Sequence, residues 1–114
     1  MDIEDIQKQL SDFANERDWD QFHNPKNLAM ALSVEASELV EIFQWLTPEQ
    51  AEVIMSSNES EHVKEEIADI MIYLIRMADK LNVDLENAVT DKIVKNGKRY
   101  PVSLSKGNAK KITI

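Results

Sequence analysis

Two stretches of this chain carry carboxylates at a spacing that can do chemistry. In LSVEASELVEIFQWL, residues 32–46, Glu35, Glu38 and Glu41 follow one another at intervals of three, and in KEEIADIMIYL, residues 64–74, Glu66 and Asp69 repeat that interval. Side chains at i and i+3 project from one face of a helix. Two such helices packed side by side would aim Glu35, Glu38, Glu66 and Asp69 into one space. A like-charge pair on an exposed helix costs only about 0.2–0.5 kcal/mol. A carboxylate left unpaired against a core costs several kcal/mol, a large share of the roughly 5–15 kcal/mol that holds a domain together. A cation must fill such a space. Oxygen ligands with no cysteine and no histidine pair nearby favour Mg²⁺, Mn²⁺ or Ca²⁺. The plainer alternative is that these are solvated charges on amphipathic helices. A di-iron bundle would need Glu-x-x-His on two helices, and Glu59-x-x-His62 is the sequence's single match.

The elements that must position these residues are helical. Ile3, Ile6, Leu10 and Phe13 mark one face of a first helix over about residues 2–17, and RDWDQFHNP reads as a loop. Asn24-Pro25 is an N-cap and first-turn pair for a helix running to about Trp45. Thr47-Pro48-Glu49-Gln50 has capping-box form and opens a short helix, followed by the loop SSNESE. A long helix is predicted over about residues 60–81, then one capped by Asp84 and closed near Asn96-Gly97, with an irregular tail from Pro101. The long helix is apolar around nearly its whole circumference in IADIMIYLIRMADKL. A helix of that kind is buried on all sides. Four short partners in one subunit leave it incompletely covered, which predicts a homo-oligomer built across it. The fold class is all-α: a four-helix-type bundle with a short extra helix. The domain division is a helical catalytic domain over residues 1–100 and a basic tail over 101–114.

Bulk properties narrow the function. With 114 residues the chain makes one domain with one core. The absence of cysteine excludes a disulfide framework and thiolate chemistry. MDIEDIQKQL is acidic and amphipathic, unlike a signal peptide, and no apolar run approaches the roughly 20 residues that span a bilayer. A cytoplasmic protein without membrane partners is expected. Residues 1–91 hold all 21 acidic side chains and 6 basic ones, a net of −15, whereas residues 92–114 hold 7 basic residues and no acid. So acidic a body argues against wrapping a nucleic-acid polymer. The basic tail either binds a few phosphates or neutralises the body or a neighbouring subunit.

Glu35-x-x-Glu38, a 27-residue interval and Glu66-x-x-Asp69 are similar to the ExxE…ExxD signature of the MazG-like, all-α nucleotide pyrophosphohydrolases. RDWDQFHNPKNL, FQWL, IADIMIYL and KNGKRYP, in that order, resemble segments of the family's dCTP-pyrophosphatase branch. The resemblance covers about residues 10–101. It implies cleavage of nucleoside triphosphates between the α- and β-phosphates, with Mg²⁺ held by Glu35, Glu38, Glu66 and Asp69. It places Trp19, His23, Trp45 and Tyr73 around the base and sugar, and Lys92, Asn96, Lys98, Arg99 and Tyr100 near the phosphates. It also implies dimers or tetramers. The charges agree: four carboxylates and a triphosphate of about −4, offset by two Mg²⁺, leave a deficit that the carboxy-terminal cations are placed to fill. Any of the four carboxylates Glu35, Glu38, Glu66 and Asp69, or Glu41 beside them, could take the proton of the attacking water, and Glu38, with Glu35, is the expected choice. The alternative from another class is a non-catalytic acidic interaction module.

Overall fold

The computed structural model describes residues 1–111, and they contain helices and no strand. Six α-helices follow one another: α1 Ile3–Glu16, α2 Pro25–Phe43, α3 Pro48–Glu52, α4 Ser60–Leu81, α5 Leu85–Arg99 and α6 Val102–Ser105. The all-α expectation holds among the described residues. No helix among them is long and apolar enough to cross a membrane.

Local chemistry sets the helix starts. Asn24 Oδ1 accepts the Asn27 N–H at 2.9 Å and Pro25 occupies the first turn of α2, satisfying a donor that the first turn leaves orphaned. Thr47 and Gln50 complete a reciprocal capping box at α3. Asp84 accepts the Asn87 N–H at the start of α5. Helix α4 ends at Asn82 in the left-handed conformation, φ +54°, a position Asn tolerates. The loops expected between α1 and α2 and between α3 and α4 each hold one turn of 3₁₀-helix, Asp20–Phe22 and Ile54–Ser56.

Residues Met1–Asn82 form one compact unit. Within it α2 lies along α4 and α1 also packs on α4. Ala14 of α1, Leu28 of α2, Ile54, and Val63, Ile75 and Ala78 of α4 make the buried core. Leu28 and Ile75 are wholly enclosed, each worth about 1.5–3 kcal/mol of apolar burial. The antiparallel run of α2 against α4 carries both acidic pairs. Helix α4 is not covered all round: Ile67, Met71, Ile72 and Leu74 remain exposed.

The described residues from Val83 onward form a second compact unit holding α5 and α6. Its two departures from the sequence reading are local. Gly97 was expected to close the helix, but α5 continues through it to Arg99 and is capped by Tyr100. A C-capping glycine works through left-handed backbone, and Gly97 is helical, with nothing within 4 Å of an added Cβ. Gly97→Ala should therefore stabilise α5 by about 0.5–1 kcal/mol, seen as a higher melting temperature by circular dichroism. The second departure is α6, a single helical turn where the tail was expected to be irregular.

Candidate active site

Glu35 and Glu38 project from α2 and Glu66 from α4 so that a carboxylate oxygen of each lies within 4.8 Å of the others. Glu66 is 7% exposed, and Glu35 and Glu38 are half-buried. Glu35 Oε2 and Glu66 Oε2 are buried with no hydrogen-bond partner. Such orphaned acceptors are rare in folded proteins because each forfeits its solvation without compensation. Two species can satisfy them, a proton shared among the carboxyls or a cation. Burial, then the sharing of a proton with Glu66 and Glu38 that only the protonated form allows, then their negative charges push the Glu35 carboxyl from 4.5 up to about 7. The residues thus fit a hard divalent cation: three oxygen donors from two helices, crowded enough that one holds a proton near neutrality in its absence.

Asp69 does not join this group of three, but its charge reaches the same place. Tyr73, half-buried one turn further along α4, has its hydroxyl pushed above the ordinary range by burial and then by the charges of Glu35, Asp69 and Glu38. A cavity of about 650 Å³ is lined by Glu38, Glu41, Ile42, Leu46, Glu59, His62 and Glu66. His62 Nδ1 lies 3.1 Å from Glu59, which holds the imidazole above its usual range, and His62 Nε2 lies 3.5 Å from Glu66 Oε1. The Glu59-x-x-His62 pair therefore flanks the acidic cluster.

The aromatic candidates lie in the same unit. Trp19 meets Phe13 edge-on, centroids 5.7 Å apart, and is 46% exposed. Trp45 stands just past the end of α2 and is 86% exposed. Described by themselves in the second unit, Lys92, Asn96 and Lys98 are exposed on α5, and Arg99 and Tyr100 are half-buried, with the guanidinium of Arg99 5.6 Å over the Tyr100 ring.

Residues 30–113, which include both acidic pairs, match the MazG-like family. The chain belongs to the MazG-like family. A pyrophosphatase from Archaeoglobus fulgidus has a crystal structure similar to this MazG-like chain, with TM-score 0.81 and 37% identity over 89% of this chain and 94% of that one. The curated relatives agree in kind: the dCTP pyrophosphatase 1 proteins of Bos taurus and Homo sapiens are 46% and 43% identical over 112 residues. Those residues are 97% of this chain and 66% of each relative.

One polar network in this MazG-like chain escaped the sequence reading. Arg76, 4% exposed on α4, donates Nη2–H to Asp20 Oδ1 at 2.6 Å and Nε–H to His23 Nδ1 at 3.2 Å. Lys80 also donates to Asp20. The Lys80 ammonium, followed by Arg76, holds Asp20 below the usual carboxylate range. The one signal in the sequence was a lone cation inside the apolar run IMIYLIRMA, since a buried charge demands a partner.

Proposed function

We propose that this chain is a Mg²⁺-dependent pyrophosphohydrolase that converts (deoxy)nucleoside triphosphates to monophosphates and pyrophosphate, with dCTP-like substrates favoured. The observation that carries the reading is the pool of carboxylates from α2 and α4 with two buried oxygens left unpartnered. The names of the curated relatives support the reaction and the base.

Glu35, Glu38 and Glu66, with Asp69 beside them, would hold Mg²⁺, or Mn²⁺ in its place. When bound, the cation supplies charge neutralisation for the phosphates and a lowered pKa for a coordinated water. The remaining work falls to side chains. Glu38 accepts the proton of the attacking water, with Glu35 able to share it. The water oxygen bonds to phosphorus as a P–O bond of the α,β bridge breaks, and pyrophosphate and the monophosphate separate. Trp19, His23, Trp45 and Tyr73 hold the nucleoside, and Lys92, Asn96, Lys98, Arg99 and Tyr100 meet the phosphates. The nucleotide pool served is cytoplasmic, and neither a nucleic-acid polymer nor a membrane takes part. Exposed Ile67, Met71, Ile72 and Leu74 on α4 support completion of the four-helix-type bundle as a homodimer or homotetramer.

A panel of dNTPs incubated with Mg²⁺, with products identified, tests the reading. Monophosphate and pyrophosphate in equal amounts are expected, with dCTP among the best substrates. Orthophosphate as the sole inorganic product, or no turnover, would contradict it, the latter favouring a non-catalytic acidic module. Trp45→Ala offers a second check. Its indole is so exposed that the melting temperature should stay the same. Base stacking worth about 1–3 kcal/mol predicts a KM for dCTP raised by about 5-fold or more.

A further inference from the structure

The Arg76–His23 contact has a chemical consequence for the nucleoside end of the site. A guanidinium has N–H donors and no acceptor and stays charged at every physiological pH. Its Nε–H, 3.2 Å from His23 Nδ1, therefore requires a lone pair on that nitrogen. The ring's proton must then reside on Nε2, where His23 has no hydrogen-bond partner among the described residues. Protonating Nδ1 would set two N–H groups and two positive charges against each other.

We propose that Arg76 is a positioning residue that locks His23 as a neutral imidazole with its proton on Nε2, presenting one oriented donor to an acceptor atom of the base or sugar. This rests on the reading that His23 lines the nucleoside subsite. Partner groups commonly fix a histidine's tautomer and ring orientation in this way. The groups facing the ring are Arg76 and Lys80 from α4 and Asp20 from the preceding turn. Burial, then the charges of Arg76 and Lys80, hold the imidazole below its ordinary range, and only Asp20 opposes them. Arg76 is itself fixed, buried and tied to Asp20 at 2.6 Å and to Asp79 at 3.7 Å. Neutrality also matters for selectivity, because an imidazolium at this place would attract the triphosphate to the nucleoside end.

Nitrogen-15 NMR of the histidine rings in the wild-type protein reads the lock directly and needs no variant. His23 should hold its proton on Nε2 and remain neutral from pH 8 to pH 6. A proton on Nδ1, or titration near the ordinary value of 6.5, would overturn the proposal. In Arg76→Lys and Arg76→Leu the ring is released and should titrate. The ratio of variant to wild-type KM for dCTP, which cancels titration of the substrate and of the acidic cluster, should be several-fold at pH 8. It should fall as pH drops through about 6.5, because the imidazolium regains an Nε2–H donor whichever tautomer it had. A ratio independent of pH would mean that Arg76 serves only the fold, and would overturn the proposal. His23→Ala separates the two layers: an unchanged KM would overturn the nucleoside placement on which the inference rests, whereas the NMR result judges the lock itself.

Discussion

Glu66→Gln is expected to lower kcat by about 10³-fold or more and, at the same time, to stabilise the metal-free protein. Glu66 is almost wholly buried, and one of its carboxylate oxygens has no partner. The amide keeps its shape while removing a negative charge from beside Glu35 and Glu38, and it supplies a donor that Glu35 can accept. A cluster that must bind a cation is poorly built to be left empty, so function and apo stability pull in opposite directions here. The relief should be about 1 kcal/mol, or roughly 4–8 °C in melting temperature for a domain of this size. Turnover of dCTP with Mg²⁺, and melting in EDTA at pH 8, check the two halves. A variant that lost activity and stability together would show that Glu66 is a structural group with ordinary partners.

The second large effect is the response of stability to pH and metal. In the metal-free protein Glu35 titrates at about 7 instead of 4.5, so over that window the folded state retains a proton that the unfolded chain has released. Stability therefore falls as pH rises from about 4.5 to about 7, having been fully present below the lower value. Glu35 is only half-buried and solvent screens part of the repulsion, which limits the loss to about 1 kcal/mol. A cation needs the deprotonated carboxylate and binds only the folded state. Mg²⁺ at ten times its Kd should then add about 1.4 kcal/mol, roughly 5–10 °C, with a larger gain at pH 8 than at pH 5. Melting curves across that range with Mg²⁺ and with EDTA measure it. Equal curves with and without metal would argue against a preformed site.

Much of the frame was legible because the signals are local. Helix α4 begins at Ser60 and ends at Leu81, within the expected span, since its apolar run is bounded by polar loops. The caps at Asn24, Thr47 and Asp84 were readable because each acts on a donor three residues away. The acidic pairs were legible through their i, i+3 spacing, and α2 against α4 brings Glu35, Glu38 and Glu66 together. Spacing alone could not rank Asp69, which stands a turn beyond Glu66 and falls outside that group of three. Gly97 was misread because glycine in a helix looks like glycine after one until the backbone angle is known. The Arg76 network joins residues 53 and 56 positions apart, and no local pattern encodes such a pairing. His62 was set aside as half of an incomplete iron motif, yet one turn of α4 carries it to Glu66.

Titration with Mn²⁺ followed by electron paramagnetic resonance tests the central claim most directly, because the signal of free Mn²⁺ disappears as the ion binds. The wild-type protein should remove it saturably and release it to added Mg²⁺, while Glu35→Gln and Glu66→Gln should leave most of it in solution. Undiminished free signal with the wild-type protein, or equal binding by all three, would contradict a cation held between α2 and α4.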